Sequence, residues 1–176
     1  MNLSSLIRQP PYIQLLPNRK TSSLRAMPAR RAQAWSMFPD LHDNVATLLE
    51  SSGLDFVFHQ QDEDYGSTRD YDTNIMGQFK CRNRSCWSKG WSSKMIAITI
   101  RMYGENEYNA RVYHQRCKNC NQLSRPLLDG SYAERVAYRL KKWRGITMEV
   151  PYYSEESKGP HEKSLCEGCK NGHCSG

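Results

Sequence analysis

The sequence predicts an α+β fold: a small antiparallel β-hairpin or ribbon core, an N-terminal helix, a second helix between cysteine knuckles, and a disordered N-terminal leader. Three observations predict it. Two neighbouring stretches in the middle of the chain alternate apolar and polar residues, two others repeat apolar residues at helical spacing, and seven cysteines fall in close sets within the last 96 residues. The chain has 176 residues, of which 38% are hydrophobic, and a mean hydropathy of −0.78. That length suits one domain with a tail, and that composition supplies a core small for the length, so other bracing is expected.

Residues 1–36 carry Pro10, Pro11, Pro17 and Pro28 and weak periodicity, which reads as a disordered basic leader, with Met37 as an alternative start. Residues 37–72 read as a helix plus an acidic loop. Pro39 suits a first helical position, Asp40 and Asp43 suit the positive helix end, Leu41, Val45, Leu48 and Leu49 form the stripe, and Gly53 stops it. Leu54 to His59 reads as a short strand, and Gln60 to Asp72 as a solvated loop.

Residues 73–176 hold the core. Residues 75–80 read as a strand entering Cys81. Ile96, Ile98, Ile100 and Met102 share one side of a strand, Gly104-Glu105-Asn106 turns, and Tyr108, Ala110, Val112 and His114 share one side of the next. Ser131 and Glu134 have capping-box spacing ahead of a helix with Ala133, Val136, Ala137, Leu140 and Trp143 on its apolar face. Arg135, Arg139 and Lys142 lie opposite as a candidate binding face. Residues 146–160 read as a linker or crossing segment.

The net charge of +7 divides unevenly: +6 over residues 1–36, −8 over 37–72 and +9 over 73–176. The Arg-rich, acid-free leader also has the composition of a mitochondrial transit peptide, although four prolines oppose the amphipathic helix that one needs. No apolar run approaches the length of a transmembrane helix or a secretory signal.

The cysteine spacing carries the chemistry. Cys117 and Cys120, and Cys166 and Cys169, are CxxC knuckles, and Cys81 and Cys86 form a longer pair with four residues between. A tight turn between two thiolates lets both sulfurs reach one Zn²⁺, and two pairs close a tetrahedral site. The preferred assignment is two structural zinc ions. Cys81, Cys86, Cys117 and Cys120 hold one; His161, Cys166, Cys169 and Cys174 hold the other. His173 is an alternative ligand to His161, and an interleaved sharing of pairs is compatible with the spacing. Neither a deaminase nor a metalloprotease signature is present, and eight donors for two ions leave no position for a reacting water, so no enzyme activity is expected. His42 and His59 read as lone solvated or structural residues. His114 reads as a core histidine or one supporting a ligand.

Several strings together resemble the three-CxxC zinc-finger domain shared by vertebrate receptor-transporting proteins and a set of fungal proteins. They are Phe79-Lys80-Cys81 with Cys86; Trp91-Ser92-Ser93; Tyr113-His114-Gln115-Arg116-Cys117 with Cys120; Tyr132 to Leu140; and Gly159-Pro160-His161 followed by Cys166, Cys169 and Cys174. The resemblance covers roughly residues 75–176 and implies zinc binding by those cysteines and the histidine. The added N-terminal helix and acidic segment look like the fungal branch. For the vertebrate branch the resemblance also implies assistance of chemosensory receptors to the cell surface, but those proteins end in a membrane anchor, whereas this chain ends two residues after Cys174. The expectation is a non-catalytic cytoplasmic module that binds a protein partner. The alternative is a nuclear or cytoplasmic nucleic-acid-binding protein that uses the basic helix face.

Overall fold

The computed structural model describes residues 33–151 and 161–175. In chain order they form β1 (Trp35–Ser36), α1 (His42–Glu50), β2 (Val57–Phe58), β3 (Ser67–Lys80), β4 (Gly90–Tyr103), β5 (Glu107–Tyr113), β6 (Gln115–Arg116), β7 (Leu123–Ser124), β8 (Pro126–Leu128), α2 (Ser131–Trp143) and α3 (Glu167–Lys170). The main sheet runs β1-β5-β4-β3-β8, with β2 added in parallel to β5, and β6 and β7 make a separate two-stranded ribbon.

Period-two alternation gives each central strand two faces. On the first, Ile96, Ile98, Ile100 and Met102 of β4 meet Tyr108, Ala110 and Val112 of β5 and Ile75 and Phe79 of β3. Helices α1 and α2 cover this face with Val45, Leu49, Tyr132, Val136, Ala137 and Leu140. Pro39 opens a single 3-10 turn, Pro39–Leu41, rather than the α-helix itself, and Leu48 stays on the surface while Val45 and Leu49 are buried. Gly53 at φ +63 stops the helix in the left-handed region that glycine enters without strain.

The second face is also buried, which the alternation alone does not require. Ala97, Thr99, Arg101 and Tyr103 of β4 and Asn109 and Tyr113 of β5 are all covered. The segment expected as a solvated acidic loop does much of the covering. Asp62 Oδ1 accepts from Arg101 Nη2 at 2.7 Å and Arg111 Nε at 2.5 Å, and Asp62 Oδ2 accepts from Trp35 Nε1 at 2.7 Å. Asp64 Oδ1 accepts from both arginines as well. Two cations on a sheet face must be paired once they leave water, and this loop supplies the pairs. Its last residues, Ser67 to Asp72, are not loop but the first half of β3, paired with β4.

Other expectations are also revised. Trp35–Ser36, placed in the leader by sequence, pairs with Tyr113 and Val112, and a chain beginning at Met37 would lack that strand. Residues 1–32, and with them the rest of the leader and the transit-peptide reading, lie outside the described residues, as do 152–160 of the crossing segment. The strand expected over 54–59 shrinks to Val57–Phe58. The capping box does not form. Ser131 lies one residue inside the helix, where its own backbone N–H is held by Asp129 Oδ1 at 3.0 Å. Its hydroxyl accepts instead from Met76 N–H at 2.8 Å, where the β3–β4 register breaks between Ile75 and Gly77. A backbone donor at a register break lacks a ladder partner, and that need outcompetes local capping.

Candidate metal centres

The first centre forms where β3 ends. Cys81 follows Lys80, and the turn to Cys86 is closed by Asn83, whose carbonyl accepts from Cys86 N–H at 3.0 Å and whose Oδ1 accepts from Ser85 N–H at 3.0 Å. This turn absorbs the two extra residues of the longer pair. The second knuckle is the tip of the β6–β7 ribbon. Asn121 N–H donates to Cys117 C=O at 2.8 Å and Cys117 N–H to Gln122 C=O at 2.9 Å, with Asn121 at φ +60. The strand-end and ribbon-tip knuckles face each other: Cys81 Sγ lies 3.5 Å from Cys120 Sγ, and Cys86 Sγ 3.9 Å from Cys117 Sγ. All four sulfurs fall within 4.8 Å of one another. A tetrahedral ion with Zn–S near 2.3 Å would hold its sulfurs about 3.8 Å apart, so the cage already has the required size.

The second centre ties the C-terminal segment to the second face of the sheet. Gln115 and Cys166 form a β-bridge, Glu167 N–H donates to His114 C=O at 3.0 Å, and Arg116 pairs with Glu167 at 2.6 Å. Gly168 lies flat on the sheet, where a Cβ would come within 2.3 Å of Ala97 Cβ. Cys169 N–H then points to Cys166 Sγ at 3.5 Å, and His161 Nε2 lies 3.1 Å from Cys169 Sγ and 3.5 Å from Cys174 Sγ. His161, Cys166, Cys169 and Cys174 form one four-donor group. The interleaved sharing of pairs is therefore not the one adopted. His173 is held elsewhere, with Nδ1 3.1 Å from Asp72 Oδ2 and its ring stacked on Tyr113.

The electrostatics of both groups call for a cation. The Asn83 amide lowers the Cys81 thiol, but burial and the three neighbouring sulfurs push it up to about 12. Burial and the crowded sulfurs of Cys169 and Cys166 likewise hold Cys174 at about 12. Burial raises Cys117, yet the Asn119 and Cys120 amides outweigh it and leave about 6. The Cys117 thiolate forms readily, whereas Cys81 and Cys174 need a divalent charge beside them. Burial pushes His161 downward, toward the neutral form that a metal ligand must have. Both donor sets suit zinc.

Residues 74–172, more than half of the chain, match the family model of the three-CxxC zinc ribbon, described as a zinc-binding domain. The chain belongs to that family. No curated protein and no solved structure matches it. The three-CxxC match spans both knuckles of the first centre and three of the four donors of the second, and stops two residues before Cys174. It begins within β3, so β1, α1 and β2 lie ahead of the matched residues.

Of the other sequence candidates, the basic helix face sits differently from expectation, and the three lone histidines take structural places. The basic helix face is not an open surface. Arg135 is buried, and the Arg139 guanidinium packs over the Tyr71 ring, which leaves Lys142 exposed. The cause is β3: extended to Ser67, it brings Tyr71 under α2. Beyond Lys142, Arg144 binds Glu105 C=O and Asn106 in the β4–β5 turn. His42 contacts the Tyr108 hydroxyl at 3.1 Å, and His59 pairs with Glu107 and stacks on Tyr103. His114 is a core histidine. Its Nε2 lies 2.8 Å from Ser36 Oγ, and burial, with Arg125 nearby, lowers it to about 4. The sequence reading missed Asn83, Asn121 and Gly168, which shape the knuckles. The only signals for them were an Asn inside or just after each cysteine pair and a Gly within the third.

Proposed function

We propose that this chain is a non-catalytic, zinc-braced cytoplasmic module that binds a protein partner as an adaptor or trafficking helper. The observation that carries the reading is saturation: each centre gathers four protein donors. Zinc with four protein ligands is committed to holding chain segments together, whereas a catalytic ion keeps a position for water or substrate. The segments ahead of the family match, α1 and the acidic loop, favour the fungal branch over the vertebrate receptor-transporting proteins.

A groove of about 500 Å³ between α1 and the start of α2 offers a surface for a partner. Leu41, Leu48, Leu128 and Tyr132 line it, with Asp129 and Glu134 beside them. This combination fits an apolar side chain next to a basic one. The Tyr132 hydroxyl is buried with no hydrogen-bond partner among the described residues. Immobilising the full-length, zinc-loaded chain and a Leu48→Arg variant, then capturing partners from the native cell, tests the reading. The wild type should retain a specific protein that the variant loses, because Leu48 is exposed and its change leaves the core intact. Identical capture by both, or none by either, contradicts it.

A further inference from the structure

The two knuckles of the first centre meet at one zinc site and so form a single end of the molecule. Their segments, 80–90 and 117–128, contain Lys80, Arg82, Arg84, Lys89, Lys118 and Arg125 and no acidic residue. All six basic residues are exposed. Among the described residues, Glu162 pairs with one of them, 3.8 Å from Lys118 at a half-exposed position. Four thiolates and one zinc contribute −2 beneath this surface, which leaves it positive. Trp87, directly after ligand Cys86, is 82% exposed. The other tryptophans among the described residues are partly buried: Trp35 is hydrogen-bonded to Asp62, Trp91 is stacked on Phe79, and Trp143 packs on the core.

A large aromatic left in water on a rigid, cation-rimmed tip needs a partner that is apolar below and anionic above. We propose that the paired knuckle tips dock on an anionic lipid surface, with Trp87 entering the headgroup layer and Arg82, Arg84, Lys89 and Lys118 lying against its phosphates. Tryptophan partitions to the membrane–water interface because its ring is apolar and its N–H is wet. Each cation beside an anionic leaflet adds about fivefold to partitioning. Single-stranded nucleic acid is the poorer match, since it stacks successive bases on successive aromatic rings and this end presents one. The inference stands apart from the protein-partner reading, which rests on the groove between α1 and α2 and on Leu48.

The test is sedimentation of the full-length, zinc-loaded chain with vesicles of phosphatidylserine and phosphatidylcholine, against phosphatidylcholine alone. Wild type, Trp87→Ala and Arg82→Ala/Arg84→Ala are compared, all with the same basic leader, so its contribution is held constant. Loss of both arginines should weaken partitioning about 25-fold. Loss of the one inserted side chain should weaken it about tenfold. Wild-type fluorescence should be quenched by brominated acyl chains and that of Trp87→Ala should not, with two zinc ions retained throughout. Equal partitioning of all three proteins, or no quenching in the wild type, overturns the proposal. So does Trp87-dependent binding of an oligouridine strand without vesicle binding.

Discussion

His114 and Gly168 show how single side chains are set by what packs on the sheet. Burial holds the His114 ring at about 4, well below the usual histidine value. The unfolded chain therefore binds its proton more tightly. The residue's contribution to stability is complete above about 6.5 and is lost as pH falls from there toward 4. An NMR titration of the imidazole should find His114 neutral at pH 6, where a solvated histidine is largely protonated; a midpoint near the unperturbed value contradicts the burial. Gly168 has no room for a Cβ against Ala97. Gly168→Ala should cost about 1–3 kcal/mol in denaturant unfolding, as overpacking does. Ala97→Gly in the same chain should recover part of that loss, since it removes the atom that clashes.

Among the elements, the hairpin of β4 and β5 was legible because one face of each strand alternates cleanly from Ile96 to Met102 and from Tyr108 to Val112. The first half of β3 was not. Its residues Ser67-Thr68-Arg69-Asp70-Tyr71-Asp72 are polar, and they become strand because β4 offers a long partner and the Asp62–Arg101–Arg111 cluster closes the face beside them. Tertiary pairing overrode local composition there. The same contrast separates Ser131 from Glu134. Because Ser131 serves Met76 rather than a capping box, Ser131→Ala should destabilise by about 1 kcal/mol, the cost of leaving a half-buried donor without its partner. Glu134→Ala should change stability by less than about 0.5 kcal/mol, as at an ordinary exposed site. Equal losses from the two substitutions would restore the capping box.

At the scale of the whole molecule, both candidate centres were readable because metal ligation fixes residue type and spacing together: eight donors in close sets admit few alternatives. Spacing did not say which pairs meet, and the order of strands decided that. Cys81 and Cys86 follow β3, the ribbon carries Cys117 and Cys120 beside them, and α3 lies across the opposite face. The basic helix face was misread for the same reason, since sequence period shows a stripe and not what covers it. The first centre holds the end of β3 to the β6–β7 ribbon, and the second holds the C-terminal segment to the second face of the sheet. Zinc binding worth about 10 kcal/mol or more in small domains is comparable to a whole domain's stability, so chelation should abolish cooperative thermal unfolding. The most direct test is native mass spectrometry of the full chain purified without added metal. The account predicts two zinc ions in the wild type and one in each of Cys120→Ser and Cys174→Ser. A wild-type count of one or none would contradict it.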